Sequence, residues 1–268
     1  MTQRTLALLG AGAMGSAVLE AVLRAGLYEP GSVRVTTLDE DAAARWRERG
    51  VQVAADNAAA ADGADVLLVA VKPADVPGVL DDIAGRLRGE ALVVSIAAGV
   101  RLETLAQHLP EGTATVRVMP NTPALVGEGM SALSPGEHCD EAGLGIAREL
   151  LAGCGRVVVV PEKQQDAVTA VSGSGPAYVF SVAEALIDAG VLLGLPRTVS
   201  AELAIQTLVG AATMLRDSDT PPGLLREQVT SPGGTTAAAL REFDRHGLRS
   251  AILAGAEAAH ARSQQLGG

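Results

Sequence analysis

Short apolar runs alternate with amphipathic segments over the first 160 residues, and the alternation stops at Pro161. The runs Thr5–Leu9, Val33–Leu38, Val66–Val71, Ala91–Ile96, Thr115–Met119 and Arg156–Val160 are mostly near-continuous in Val, Leu and Ile. Strands covered on both faces read this way, because neither face has to meet water. Between them, Met14–Ala25, Asp41–Arg49, Ala74–Leu87, Leu102–Leu109 and Asp140–Leu151 are Ala- and charge-rich with helical period. This alternation predicts an α/β fold with a doubly wound parallel sheet across residues 1–161.

Beyond Pro161 only helices are predicted: Glu162–Val171, Pro176–Leu193, Arg197–Arg216, Pro221–Gln228, Gly234–His246 and Leu248–Gln265. Pro176, Pro196 and Pro221 stand where a first turn tolerates a missing N–H, and Gly194 and Gly247 where helices commonly stop. Residues 162–268 therefore read as an all-α domain. Its two long helices, Pro176–Leu193 and Arg197–Arg216, are apolar on most sides. A helix apolar all round is buried, and a domain of this size has little interior, so a second subunit is expected to cover them.

Composition narrows the picture. Apolar residues make up 48% and aromatics only 2%, so the core is built from Ala, Val and Leu. A net charge of −10 repels a phosphate backbone and argues against nucleic acid as a partner. Cys139 and Cys154 belong to no CxxC and to no cluster with histidine, so neither a disulfide framework nor a metal site is expected. Glu184 and Asp188 interrupt the most apolar helical stretch, Ala183–Leu195, and no apolar run is long enough to span a bilayer. The expectation is a soluble cytoplasmic protein without membrane contact.

Gly10-Ala11-Gly12-Ala13-Met14-Gly15 follows the first strand and opens the first helix. In that context GxGxxG marks a Rossmann-type dinucleotide site: Gly10 for the tight turn, Gly12 for approach to the pyrophosphate, Gly15 for helix–strand packing. The second strand ends Thr36-Thr37-Leu38-Asp39. An acid there binds the ribose 2′-OH of NAD, whereas threonine hydroxyls suit a 2′-phosphate, and Asp39 also reads as a helix cap. That evidence of residue type is divided between NADPH and NADH. Ala70-Val71-Lys72-Pro73 and Ser95-Ile96-Ala97-Ala98-Gly99 fall after later strands, where Lys72 can face the cofactor and the small Ala97 and Ala98 leave room for a nicotinamide ring.

Three motifs remain: Met119-Pro120-Asn121-Thr122-Pro123 after the fifth strand, Ser172-Gly173-Ser174-Gly175-Pro176, and Thr230-Ser231-Pro232-Gly233-Gly234-Thr235-Thr236. The last two put hydroxyls and free amides at helix starts, which suits a carboxylate but also describes simple capping. With GAGAMG, AVKP, VVSIAAGV, MPNTPA, DAVTAVSGSGPAYVF, GLPR and VTSPGGTT, the sequence resembles the pyrroline-5-carboxylate reductases over essentially its whole length.

The resemblance implies hydride transfer from NADPH or NADH to the C=N carbon of Δ1-pyrroline-5-carboxylate, giving L-proline. It implies that Gly233, Gly234, Thr235 and Thr236 hold the substrate, with Thr236 on the ring nitrogen as the catalytic group, and that Ser174 and Glu162 border the same pocket. On the cofactor side it implies Gly10, Ala11, Gly12, Ala13, Met14, Gly15, Thr37, Asn57, Ala70, Val71, Lys72, Pro73, Ala97, Ala98 and Asn121. Gln228 stands where relatives often carry Asn or Asp that reaches the cofactor of the partner subunit. The family's helical domain interleaves in a homodimer, and in many relatives five dimers form a decamer. A β-hydroxyacid dehydrogenase would carry a lysine on the long helix, and Pro176–Leu193 has none. A non-catalytic dinucleotide-binding redox sensor would leave SGSGPAY and SPGGTT without a task.

Overall fold

The computed structural model describes residues 4–267. Eight strands form one sheet: β1 (Leu6–Leu9), β2 (Val33–Thr36), β3 (Gln52–Val53), β4 (Val66–Val69), β5 (Leu92–Ser95), β6 (Ala114–Met119), β7 (Gly129–Pro135) and β8 (Gly155–Val159). Their order is β3-β2-β1-β4-β5-β6-β7-β8. The chain winds outward from β1 in both directions, leaving a crevice at the carboxyl ends of β1 and β4 where ligands of such sheets bind. Six of the seven strand pairings are parallel, and only β6 with β7 is antiparallel.

Two strands depart from the sequence-based expectation. β3 has two residues, too few to register as a run. β7 carries Gly-Met-Ser-Ala-Leu-Ser-Pro, in which two serines break the apolar pattern. Both are fully buried; Ser134 Oγ donates to Val160 O at 2.8 Å, which removes the cost of burying a hydroxyl. The expected all-parallel sheet is thus a mixed one, turned back at β7 after a short helical turn at Thr122–Val126.

Alternation along β1 divides the core. Leu6 and Leu8 join one cluster, which includes Val18, Leu19 and Val22 of α1 (Ala13–Arg24) and Trp46 of α2 (Glu40–Glu48). Ala7 and Leu9 join the other, beneath α3 (Asn57–Ala61), α4 (Val76–Ala84) and α5 (Leu102–His108). Leu144, Ala147, Leu150 and Leu151 of α6 (Glu141–Ala152) return to the first face. Asp56 and Asp140 cap α3 and α6 by accepting from Ala59 N at 2.7 Å and Gly143 N at 2.8 Å.

The chain forms two compact units, Met1–Ser174 with Ala259–Gly268, and Gly175–Ala258. The first unit continues past Pro161 because α7 (Gln165–Val168) is anchored to β7. Gln165 is fully buried, and its Nε2 donates to Ala132 O at 3.1 Å and to Ser134 Oγ at 2.8 Å. The single helix expected over Glu162–Val171 is in fact three turns of different pitch, ending in a π-helical turn at Thr169–Gly173. Residues 259–267 rejoin this unit, and Ser263 Oγ donates to Asp166 Oδ1 at 2.7 Å.

In the second unit α8 (Gly175–Leu192) and α9 (Arg197–Asp217) pack together, followed by α10 (Pro222–Gln228), α11 (Thr235–Arg245) and α12 (Leu248–Leu266), whose last turns lie in the first unit. Gly190 makes room for Ser200, whose hydroxyl donates to Ile187 O at 2.7 Å. No residue of α8 is buried within the chain, and Phe180 and Leu192 are 63% and 87% exposed. By length and composition Glu162–Leu192 and Arg197–Asp217 are long and apolar enough to cross a membrane. Large exposed apolar patches of this kind mark an interface.

Asp65 fastens the amino ends of β1 and β4. Its Oδ2 accepts from Thr5 N at 2.7 Å and Thr5 Oγ1 at 2.9 Å, and its Oδ1 from Arg88 at 3.0 Å. Burial works to raise its pKa, but the Thr5 hydrogen bonds and Arg88 prevail and hold it below the usual value. The depressed pKa means that the stabilisation is present above the unfolded-state value and is lost as pH falls through the folded one. Asp65→Asn is therefore expected to lower the urea midpoint at neutral pH, with the gap to wild type closing as the pH drops below 3.8. A gap independent of pH would overturn the assignment.

Candidate active site

The glycine loop is built by contacts that leave no room for side chains. Gly10 has φ +94°, in the left-handed region, and a Cβ there would come within 2.8 Å of Val71 Cγ1 and 3.0 Å of Val71 N. A Cβ on Gly15 would lie 2.5 Å from Gly10 O and 3.0 Å from Ala70 Cβ. The turn is thus pressed against Ala70-Val71, and two motifs distant in sequence form one wall. Gly12 differs: a Cβ there would meet nothing within 4 Å. It precedes the first residue of α1, and no side chain caps that helix. Open space over uncapped first-turn amides at Ala13, Met14 and Gly15 fits a pyrophosphate, which supplies the acceptors and the negative charge that a helix start favours.

Thr36, read from the sequence only as a hydroxyl suited to a 2′-phosphate, supports this loop. Its carbonyl accepts from Gly10 N at 3.2 Å and Ala11 N at 2.8 Å, and its Oγ1 accepts from Gly10 N at 3.1 Å. The same hydroxyl donates to Asn57 Oδ1 at 2.8 Å. Asn57 is thereby fixed beside the loop at the start of α3. Nothing in the sequence marks Thr36 for this task, since β2 and α3 meet only in the fold.

At the end of β2, Thr37 Oγ1 accepts from Asp39 N at 3.1 Å. Asp39 caps α2, its Oδ1 accepting from Asp41 N at 2.9 Å and Ala42 N at 3.1 Å. Lys72 is exposed at the end of β4, with Pro73 opening a helical turn behind it. After β5, Ala97 is buried and Ala98 exposed, and Gly99 has φ +79°.

Two residues expected at the site also make hydrogen bonds within the fold, Glu162 through one of its two carboxylate oxygens. Asn121 Nδ2 donates to Ser172 O at 3.3 Å and Ser172 Oγ at 3.2 Å, while its Oδ1 accepts from Met130 N at 2.8 Å. It joins the loop after β6 to β7 and to the π-helical turn. Glu162 Oε1 accepts from Leu102 N at 2.7 Å and from the buried Arg117 at 2.9 Å. Ser174 N donates to Thr169 O at 2.8 Å, closing the π turn just before α8.

In the second unit, Gly233 has φ +69° and Gly234 N donates to Ser231 O at 3.0 Å. This tight turn delivers Thr235 and Thr236 to the first turn of α11, where again no side chain provides a cap. The turn presents amides and two hydroxyls together, a neutral but strongly donating site for a carboxylate. Gln228 ends α10 and is exposed. Burial pushes the Cys139 thiol up, reinforced by Asp140 and Glu141, and burial pushes the Cys154 thiol up as well, so neither is poised as a nucleophile. Among the described residues no cluster of His, Cys, Asp and Glu is arranged to hold a metal.

Comparisons with known proteins find relatives along the whole chain. A family model described as pyrroline-5-carboxylate reductase dimerisation matches residues 162–266, and one described as NADP oxidoreductase coenzyme F420-dependent matches residues 5–99. The pyrroline-5-carboxylate reductase of Corynebacterium melassecola is 43% identical over 98% of both chains. A solved pyrroline-5-carboxylate reductase from Coxiella burnetii superposes with a TM-score of 0.92 at 33% identity, covering 100% of both chains. The Plasmodium falciparum pyrroline carboxylate reductase, solved with NADP bound, gives 0.88 at 31% identity, again over 100% of both chains.

The glycines should separate folding from binding. Gly12→Ala is expected to leave the melting temperature unchanged while weakening dinucleotide binding by about tenfold or more, because the methyl enters only the ligand's space. Gly15→Ala should lower both, through its contact with Gly10 O. Calorimetric titration alongside thermal melts reads the two effects, and an unaltered Kd for Gly12→Ala would remove the pyrophosphate from this loop.

Proposed function

The chain belongs to the pyrroline-5-carboxylate reductase family, and from that membership we propose how its own residues serve the reaction. It is an NAD(P)H-dependent oxidoreductase that reduces Δ1-pyrroline-5-carboxylate to L-proline, the final step of proline biosynthesis. The observation that carries this reading is identity of about 40% to named reductases along the entire chain.

When bound, the dinucleotide supplies a hydride to the C=N carbon, and a proton reaches the ring nitrogen. The protein's part is position and electrostatics. Ala11, Gly12, Ala13, Met14 and Gly15 hold the pyrophosphate; Thr37 and Asn57 border the adenine ribose; Ala70, Val71, Lys72 and Pro73 line the next stretch, and Ala97 and Ala98 admit the nicotinamide. Asn121 serves the cofactor side by fixing the loop in which it stands. Gly233, Gly234 and Thr235 offer amides and a hydroxyl to the substrate carboxylate, and Ser174 is a further substrate-side residue. Thr236 hydrogen-bonds the ring nitrogen, and it or a water relays the proton. Glu162 borders the pocket through Oε2, which has no partner among the described residues.

The functional division we propose is 1–161 for the dinucleotide and 162–268 for dimerisation and substrate, and the dimerisation model begins at the same residue. The uncovered apolar surface of α8 and α9 supports a homodimer whose partner completes each site, with Gln228 contributed across it. Following the family's pattern, five dimers build the larger assembly. Apolar helices covered by a partner need no lipid, which supports a cytoplasmic enzyme free of membrane.

Proline oxidation, or that of its sulfur analogue thioproline, with NAD⁺ or NADP⁺ tests the reading; tight dinucleotide binding without turnover would favour the sensor instead. Thr236→Ala is expected to lower kcat by roughly a hundredfold, the scale of one lost transition-state donor, with cofactor Kd unchanged. Unchanged turnover sinks that role. Dilution that splits the dimer should abolish activity, and a fully active monomer in light scattering contradicts the shared site.

A further inference from the structure

The end of β2 carries an arrangement that the shared reaction does not require. In a sheet of this order the adenine ribose lies at the carboxyl end of β2, and a 2′-phosphate would add close to two negative charges there. Such a phosphate is held by cations, by hydroxyls, or by free amides at a neighbouring helix start.

Here carboxylates stand where cations would, and two of the first-turn amides of α2 are occupied: those of Asp41 and Ala42 already donate to Asp39 Oδ1, at 2.9 and 3.1 Å. Glu40 and Asp41 fill the first turn, so Asp39, Glu40 and Asp41 form three consecutive carboxylates, all exposed. Thr37 Oγ1 accepts from Asp39 N, which leaves its own O–H free to donate to a ribose hydroxyl or a phosphate alike, so this hydroxyl does not set the choice. Between Val33 and Ala44 the only cation is Arg34, and its guanidinium donates to Ala60 O and Asp62 O. Arg45 and Arg47 stand at the opposite end of α2. Asp39 Oδ2, by contrast, has no partner among the described residues and suits the paired hydroxyls of an unphosphorylated ribose.

We propose that the Thr37–Asp41 turn selects against the 2′-phosphate, so that this chain uses NADH in preference to NADPH, with Asp39 as the residue that sets the choice. Two effects act together. The carboxylates repel the phosphate, and the helix start that could offset the repulsion is occupied by one of them. The inference rests on the reductase reading and specifies its reductant. It concerns binding before chemistry, so it is visible in affinity as well as in turnover.

The test measures Kd for NADH and NADPH by calorimetry on the full-length protein, together with kcat/KM for both in pyrroline-5-carboxylate reduction. Wild type is expected to bind NADH about tenfold or more tightly, with the same order in kcat/KM. Asp39→Ser keeps a capping oxygen and removes the nearest carboxylate, and should narrow the ratio. Leu38→Arg is the cleaner variant: Leu38 is fully exposed, so a cation enters without disturbing packing. It should tighten NADPH about tenfold and leave NADH within about twofold. Equal or tighter NADPH binding by wild type overturns the proposal, as does an unchanged ratio in Leu38→Arg. Tight binding of either nucleotide with no reduction of pyrroline-5-carboxylate overturns instead the reductase reading beneath it.

Discussion

The approach of α1 to the ends of β1 and β4 is the constraint on which the first unit depends. Helix and strand touch at Gly10, Gly15 and Ala70 with no space for one more carbon. That contact brings the start of α1 directly over the crevice between β1 and β4, so its uncapped amides open onto that crevice. The same closeness lets Thr36 reach two loop amides from the neighbouring strand. At Gly10 and Gly15 binding geometry and core packing are therefore two descriptions of one contact, whereas Gly12 faces only open space.

The parallel core was legible because buried strands and amphipathic helices differ so sharply in period. β1, β4 and β5 are four-residue runs buried at every position, and no other element reads that way. What the pattern missed was polar and buried at once. β7 places Ser131 and Ser134 in the interior, and Gln165 at the start of α7 is wholly enclosed. Ser134 and Gln165 resemble loop in sequence because their partners, Val160 O and Ala132 O, lie far along the chain. Asn121 and Glu162 teach the related lesson. A polar residue in a motif invites a ligand-binding role, yet their hydrogen bonds are made to the protein itself.

The helical unit shows the reverse. Its helices were easy to find, since proline and glycine mark their ends, and their apolar character was plain. Where that character leads could not be read from one chain's packing, because α8 buries nothing within it. An interface is recorded in sequence only as a core that lacks an interior. The hydroxyl-rich start of α11 was visible as a motif, while its openness is a property of the uncapped turn.

The last turns of α12 return to the first unit, with Ser263 on Asp166 and Gly267 against Gly99 and Arg101. A ribosome makes the sheet first, the second unit next, and these turns after it. The loop after β5 therefore gains this neighbour only once the second unit has been made. The first unit is thus discontinuous in sequence, begun before the second and still being joined after it.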